Sequence, residues 1–345
     1  MKPYIYEAIR PFYRLYGKED AFQFHTDTTV LAHNYDHDNR QHTYAFLDKW
    51  FGLKMSSREI PVGQDVDSYR ELSAGLPENN LTILRLAKQF VGELRHLAAP
   101  AGVSARARWA KAERAKLAQV VHYQPATVVQ PWYVDDTDHN TVQSISFRFG
   151  LSNGLSATGV WLRSQWTPKG APMTVVIDDA GRKGAAGRVW DHYSEVGYLL
   201  EHGEQALVLS IAFTGDATPE DAGRFGAMMA AVGTPPLGLE AAQLIGITRW
   251  AEARWHPSRM RLESSGYRMQ VVSLVAGALE PKLFERISIH GGMRSLGYLL
   301  SKGVKSSDVP DMFCRDFYKD FDLSMLRAMA GPEEVIQDSY LVTGR

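Results

Sequence analysis

Two adjacent serines stand at a predicted strand-to-helix turn in the segment "RMRLESSGYRMQVVSLVAGAL", residues 259–279. A serine at such a turn can act as a nucleophile when the turn is tight enough to lift its hydroxyl above a sheet. The tight turn needs small residues two positions before and two positions after the serine. Ser264 has Leu262 before it and Gly266 after it, so only the second requirement is met.

Two interpretations of this turn stay open. Ser265 is flanked by Glu263 and Tyr267 at the same two positions, which is less favourable still. An ungapped match of the following helix to a typical elbow places the nucleophile position near Gly266 or Tyr267, and the serines then only cap the end of a strand. Alternatively, Ser264 or Ser265 is the reactive residue.

A nucleophilic serine also needs an imidazole base within hydrogen-bond reach and a carboxylate that orients the base. His290 follows the predicted strand "ERISI" and is therefore expected at the carboxyl edge of the sheet, near the 264–266 turn. A purely structural imidazole is the alternative. The sequence singles out none of the four candidate acids, which are Asp178, Asp179, Asp216 and Asp311.

The loop "DDAGRKG", residues 178–184, follows an early predicted strand. Its glycines would allow backbone N–H groups to point at an oxyanion. Two adjacent aspartates oppose an anion site there, so an ordinary β–α loop is the alternative.

The segment "HNYDHDNRQH" places His33, His37 and His42 four and five residues apart, and the first of these spacings suits zinc on a helix. The sequence contains no HExxH motif, and Asp38 resembles the start of a helix rather than its middle. We therefore predict no metal. With no P-loop and no GxGxxG motif, we predict no cofactor either.

The elements that position these residues are predicted from hydrophobic periodicity. The segments "TVQSISFRFG" and "ATGVWLRSQW" form an antiparallel hairpin, and β–α–β units follow from residue 171 onward. The sheet should be mainly parallel and covered by helices on both faces. Its strands are predicted near 173–178, 206–213, 259–263 and 286–290, with helices at 190–201, 238–254 and 266–280. This order is that of an α/β-hydrolase-like sheet.

Three segments are predicted: an N-terminal appendage over 1–53, a helical connector over 54–120 and the sheet domain over 121–345. The appendage combines a strand "AFQFHTD" with a helix that ends at Gly52. One apolar stripe of this helix holds Tyr44, Leu47, Trp50 and Phe51.

The composition excludes several partners. Lys and Arg number 38 against 39 Asp and Glu, giving a net charge of −1, so neither nucleic acid nor a membrane surface is expected. Residues 85–116 carry eight basic side chains, but nearly no aromatic side chains accompany them, which favours a solvated helix face. A single cysteine, Cys314, excludes an internal disulfide. With no signal peptide and no apolar run long enough to span a bilayer, a soluble chain of unknown compartment is predicted.

Several segments resemble one family. The stretches at 236–250, 274–300 and 310–332, including "LVAGALEPKLFERISIHGGMRSLGYLL", resemble the C-terminal half of bacterial acetyl xylan esterases and related α/β-hydrolase-family proteins. Residues 13–53, containing "HNY", resemble the end of the first domain of those proteins. The resemblance implies two hydrolase-like sheets in tandem, of which the second generally lacks an intact triad.

The resemblance also implies roles for particular residues. His33 matches the family's catalytic base, whereas the matching nucleophile and acid would lie upstream of Met1, so the chain is expected to be a C-terminal fragment. The implied activity is hydrolysis of short acyl esters, including acetyl esters of carbohydrates, and Ser264, Ser265, His290 and His33 are its candidate residues. The alternatives are a degenerate structural domain, or a carbohydrate- or protein-binding module that uses Trp132, Tyr133, Trp161 and Trp166. The predicted strand and the apolar helix stripe of the N-terminal appendage lack a covering partner in this chain, so we predict that the chain forms a homo-oligomer.

Overall fold

A computed structural model describes residues 2–28, 35–54, 58–182, 195–331 and 335–337. The chain divides into two compact units, Met1–Asn80 and Leu81–Arg345, which we call unit 1 and unit 2. Within the described residues, no helix combines the length and the apolar character needed to cross a bilayer.

The regular elements of unit 1 are all helices in the part that the structure describes. Its elements are a π-helix at Lys2–Tyr6, a 3-10 helix at Glu19–Ala21, and α-helices α1 (Glu7–Leu15), α2 (His37–Phe51) and α3 (Tyr69–Leu72). The predicted helix is present as α2. Asp36 caps its start by accepting a hydrogen bond from the Asn39 N–H, and Gly52 ends it with a φ of 58°.

The predicted strand over 21–27 is wrong. Ala21 ends a 3-10 helix, and residues 23–28 have no regular secondary structure. A strand is held by hydrogen bonds to a neighbouring strand, and unit 1 offers none among its described residues.

Unit 2 contains an eight-stranded sheet, nine α-helices and two 3-10 helices, Gly215–Ala217 and Pro310–Met312, within its described residues. The strands are β1 (Val128–His139), β2 (Val142–Leu151), β3 (Ser156–Ser164), β4 (Met173–Asp178), β5 (Gln205–Ser210), β6 (Met260–Ser265), β7 (Arg286–His290) and β8 (Val335–Gln337). The helices are α4 (Ile83–Glu93), α5 (Val103–Val120), α6 (Glu195–Glu201), α7 (Ala222–Ala231), α8 (Pro236–Trp255), α9 (Tyr267–Leu279), α10 (Gly297–Ser301), α11 (Phe317–Asp320) and α12 (Leu323–Ala330).

The strand order across the sheet is β1-β2-β3-β5-β4-β6-β7-β8. The first three strands and β5 pair antiparallel, whereas every pairing from β5 to β8 is parallel. The predicted mainly parallel sheet and its leading hairpin are confirmed. The predicted helices 238–254 and 266–280 correspond to α8 and α9, and the described part of 190–201 is α6.

Strand β1 was not predicted, and its sequence explains why. It contains Pro131, ends in the polar run Asp135–His139, and has no fully buried position. A central strand would not tolerate a proline or so many charges, but β1 lies at the edge of the sheet, where both are acceptable.

The core lies on both faces of the sheet. On one face, α9 is buried at every position from Met269 to Leu279, and α8 packs beside it. On the other face, Val196, Leu199 and Leu200 of α6 cover Val160 and Val208. The close approach of α8 to the chain before β1 requires a glycine, because a Cβ at Gly238 would lie 1.9 Å from the carbonyl oxygen of Val121.

Candidate functional site

Three sequence-predicted residues stand in one row at the carboxyl edge of the sheet. Asp178 ends β4, Ser265 ends β6 and His290 ends β7, and each is in register with its neighbour. Side chains of paired positions leave a sheet on the same face, so the carboxylate, hydroxyl and imidazole share one face. A serine nucleophile would need these three types of group.

Ser264 is not accessible. Its side chain is fully buried, and its Oγ lies 3.2 Å from Oγ of Ser273 on α9 and 3.3 Å from the Ser288 carbonyl oxygen on β7. Alternation along β6 turns Ser264 to the face opposite Ser265. In this arrangement its hydroxyl fastens α9 to the sheet and does not face solvent.

Gly266 forms the turn between β6 and α9. Its φ is 91°, a region that favours glycine, and its N–H donates to the carbonyl oxygen of His290 at 2.9 Å. A Cβ placed there would lie 2.3 Å from both Cγ and Oδ2 of Asp179. The Asp179 carboxyl group therefore occupies the space that a nucleophile side chain at residue 266 would need.

The Asp179 carboxylate occupies the N-terminus of α9. Oδ1 accepts from the Met269 N–H at 2.8 Å, and Oδ2 accepts from the Arg268 N–H at 3.4 Å. The first N–H groups of a helix form a natural anion site. Burial raises the pKa of Asp179 to about 6, although the Met269 N–H and the Arg268 charge oppose the rise.

Arg268 connects this junction to the buried carboxyl group of Asp311, and the buried Glu240 lies close enough to both for their charges to act on it. Its guanidinium binds both Asp311 carboxylate oxygens at 2.9–3.0 Å and donates to the Phe213 carbonyl oxygen at 2.9 Å. Asp311 is fully buried, and so is Glu240 of α8. Burial, and then the negative charge of Asp311, raise the pKa of Glu240 well above its ordinary value, so the fold favours its neutral acid form.

The loop after β4 has no backbone donor left for an oxyanion at the positions that the structure describes, 178–182. The Ala180 N–H donates to Oδ1 of Asp178 at 2.7 Å, and the Gly181 N–H donates to the Asp178 carbonyl oxygen at 2.8 Å. The Arg182 N–H donates to Oγ of Ser210 at 2.8 Å.

The remaining predicted residues are dispersed. His33 lies outside the described residues. Asp216 pairs with Arg182. Trp161 is buried and stacks on Trp255 with ring centroids 4.9 Å apart, so it cannot serve as a binding platform. The other three proposed platform residues are exposed, namely Trp132, Tyr133 and Trp166.

Sequence reasoning named Asp179, Asp311 and Gly266 separately, but it missed that they form one cluster with Arg268 and Glu240. Two signals could have found it. A single glutamate interrupts the apolar helix "PLGLEAAQLIGITRW", and a single arginine stands in the first turn of the apolar helix "YRMQVVSLVAGAL". Charged residues are almost never fully buried unless they are paired. A glutamate and an arginine that each interrupt an apolar helix therefore predict buried partners of opposite charge.

No protein-family model and no curated protein sequence matches this chain. Among solved structures, a Bacteroides fragilis protein assigned as an acetyl xylan esterase is similar, with a TM-score of 0.60 and 14% identity over 76% of each chain. The sheet unit has an α/β-hydrolase-like fold. The comparison also found a glucuronoyl esterase from Solibacter usitatus, with a TM-score of 0.48 and 13% identity over 71% of this chain and 80% of that one. At these identities the likeness concerns the fold alone.

Proposed function

We propose that unit 2 is a catalytically silent α/β-hydrolase-like domain with a structural or binding role. The proposal rests on the residues that occupy the β6–α9 turn. A glycine stands where an elbow exposes its nucleophile, and the Asp179 carboxylate fills the adjacent helix N-terminus. A substrate oxyanion would meet a carboxylate there instead of free donors.

Neither serine of the turn is well placed for acyl transfer. Ser264 is buried beneath α9. If Ser265 were the nucleophile, the next N–H in the chain, that of Gly266, would have to stabilise the oxyanion. That N–H already donates to the His290 carbonyl oxygen. Losing one oxyanion donor alone costs a factor of about 10² to 10³ in rate.

Ester hydrolysis is the second candidate, favoured by the row of Asp178, Ser265 and His290. On this hypothesis Ser265 attacks a short acyl ester, free or on a carbohydrate, and His290 accepts its proton. Asp178 lies two strands from His290 on the far side of Ser265, so the row does not supply the acid that orients the imidazole. The fold, which it shares with a protein assigned as an acetyl xylan esterase, supports this choice of reaction.

Turnover of p-nitrophenyl acetate by the purified full chain separates the two candidates. For a silent domain we expect release of p-nitrophenol at the rate given by an equal concentration of the Ser265→Ala variant, and no labelling by a fluorophosphonate probe. An active esterase would lose activity by orders of magnitude in Ser265→Ala, but not in a variant of a serine outside the row. Ser152 in the turn after β2 is such a control.

A further inference from the structure

Two histidines and an aspartate of unit 1 converge outside the sheet altogether. One ligand atom from each of His25, Asp38 and His42 lies within 4.8 Å of the other two. We propose that these three residues bind a divalent transition-metal ion, with Zn²⁺ as the expected occupant. The proposal replaces the sequence-based expectation of no metal, which rests on His33, His37 and His42 without His25.

The elements bring the three side chains together for clear reasons. Asp38 and His42 are four residues apart on α2, so they lie on one face, one turn apart. The Asp36 cap fixes the start of the helix just before them. His25 comes from the irregular segment before α2, and its Nε2 contacts Oδ2 of Asp38. Its ring is stacked on that of His42 with centroids 3.6 Å apart.

The chemistry of the three groups is that of a zinc site with an open position. Zinc prefers imidazole nitrogen and carboxylate oxygen at roughly 2.0–2.2 Å, and a tetrahedral site with these bonds has ligand atoms about 3.4 Å apart. The ligand atoms of the three residues lie within 4.8 Å of one another, and the two stacked imidazole rings must rotate out of their stack so that a nitrogen of each faces the same ion. Three protein ligands leave the fourth position to water or to an oxygen of a small ligand.

The open position has space beside it. A cavity of about 430 Å³ is lined by His25 and His42 together with Phe22, Phe24, Tyr35 and Phe46. Its mixture of two imidazoles and four aromatic rings suits a small ligand that presents one oxygen to the metal. The Nδ1 atom of His42 lies 2.9 Å from the Asp38 carbonyl oxygen, an outer contact of the kind that orients metal-bound histidines.

The neighbouring histidine serves as an internal comparison. His37 is also on α2, but its Nδ1 lies 2.9 Å from Oε2 of Glu59, whose other oxygen binds Arg40. The Arg40 guanidinium, and then His37, lower the pKa of Glu59 to about 2. The Glu59 carboxylate is already compensated by the permanent positive charge of Arg40, and neither Glu59 nor His37 is a proposed ligand. His37→Ala should therefore leave the proposed site intact.

Calorimetric titration of the tag-free full chain with ZnCl₂ tests the proposal. We expect one Zn²⁺ per chain. Loss of an outer-shell partner alone weakens metal binding by about 10- to 100-fold, so loss of a ligand should weaken it by at least about 100-fold. His25→Ala, Asp38→Asn and His42→Ala should each show this loss, whereas His37→Ala should stay close to the wild-type value.

Two results of the titration would overturn the proposal: no uptake of Zn²⁺ by the wild-type chain, or equal uptake by all four variants. X-ray absorption of the zinc-loaded wild-type chain does not depend on any variant folding correctly. It should show two imidazole ligands and one carboxylate, and a shell with fewer than two imidazoles also rules the site out. Since none of these residues belongs to the β6–α9 turn, the outcome is independent of the function proposed for unit 2.

Discussion

At the scale of single residues, Gly266 and Asp179 share one small volume at the start of α9. A Cβ on residue 266 would lie 2.3 Å from the Asp179 carboxyl carbon, and the φ of 91° adds backbone strain for any other residue. Gly266→Ala should therefore lower the free energy of unfolding by about 1 kcal/mol from strain and by about 1–3 kcal/mol more from overpacking.

The matched control is Gly154→Ala. Gly154 has a similar φ of 80°, but a Cβ there would have nothing within 4 Å, so only the strain should remain. Urea unfolding of both variants measures the difference between them. In an Asp179→Ala background the cost of Gly266→Ala should fall toward that of Gly154→Ala. Equal costs in both backgrounds would mean that the two side chains do not compete.

The raised pKa of Asp179 predicts that the stability of the fold depends on pH. Its pKa rises from the ordinary 3.8 to about 6 in the fold because the carboxyl group is buried. The fold therefore favours the protonated acid. The resulting stabilisation is fully present below about pH 4 and is lost as the pH rises through about 6. The shift corresponds to at most about 3 kcal/mol.

Asp179→Asn removes this titration while keeping an oxygen for the Met269 N–H. Relative to the wild type, the variant should gain stability by up to about 3 kcal/mol between pH 4 and pH 7, as followed by urea unfolding at several pH values. Asp178→Asn, one residue earlier, reports the general effect of removing one negative charge. A difference between Asp179→Asn and wild type that stays constant across this pH range contradicts the prediction.

At the scale of elements, the pair of Arg268 and Asp311 joins α9 to the 3-10 helix Pro310–Met312. Asp311 has no exposure and Arg268 only 13%. Removing one partner of a buried pair leaves an uncompensated charge, so Arg268→Met should cost about 3–5 kcal/mol of unfolding free energy.

A surface pair provides the comparison for that measurement. Arg249 of α8 contacts Glu280 at 2.8 Å, but the two side chains are 52% and 30% exposed. Arg249→Met should cost no more than about 1 kcal/mol by urea unfolding. Similar losses in the two variants would show that the Arg268 pair is not protected from solvent.

The sequence predicted the central elements well because their patterns are strong. The strands β4 and β5 and the helices α8 and α9 are apolar runs, whereas β6 and β7 alternate apolar and polar residues. These patterns depend on local chemistry alone. The edge strand β1 and the false strand at 21–27 depend on whether a neighbouring strand exists. No local pattern carries that information.

The candidate site was predicted only in part for a related reason. Register places Ser265 and His290 side by side, as their positions at strand ends indicated. The role of Asp179 depends on which carboxyl group reaches the α9 N-terminus, and Glu240 and Asp311 come from elements distant in sequence. Such contacts follow from the packed fold and not from spacing along the chain.

At the scale of the whole molecule, unit 1 exposes apolar side chains that a folded chain ordinarily covers. Phe12, Leu15 and Tyr16, on or just after α1, are 63%, 81% and 82% exposed, and Phe51 at the end of α2 is 68% exposed. Exposed apolar groups of this size are typical of association surfaces. We predict that residues 1–53 dock onto another copy of the chain.

Light scattering at micromolar concentration should then report a homodimer or larger assembly. The double variant Phe12→Glu/Leu15→Glu places two charges on the proposed surface and should shift the mass toward that of one chain, because desolvating unpaired charges opposes association. Val232→Glu changes an apolar residue of unit 2 that is 79% exposed, and it should leave the mass unchanged. A wild-type chain that stays monomeric would contradict the predicted assembly. If only Val232→Glu disrupts the assembly, the interface lies outside residues 1–53.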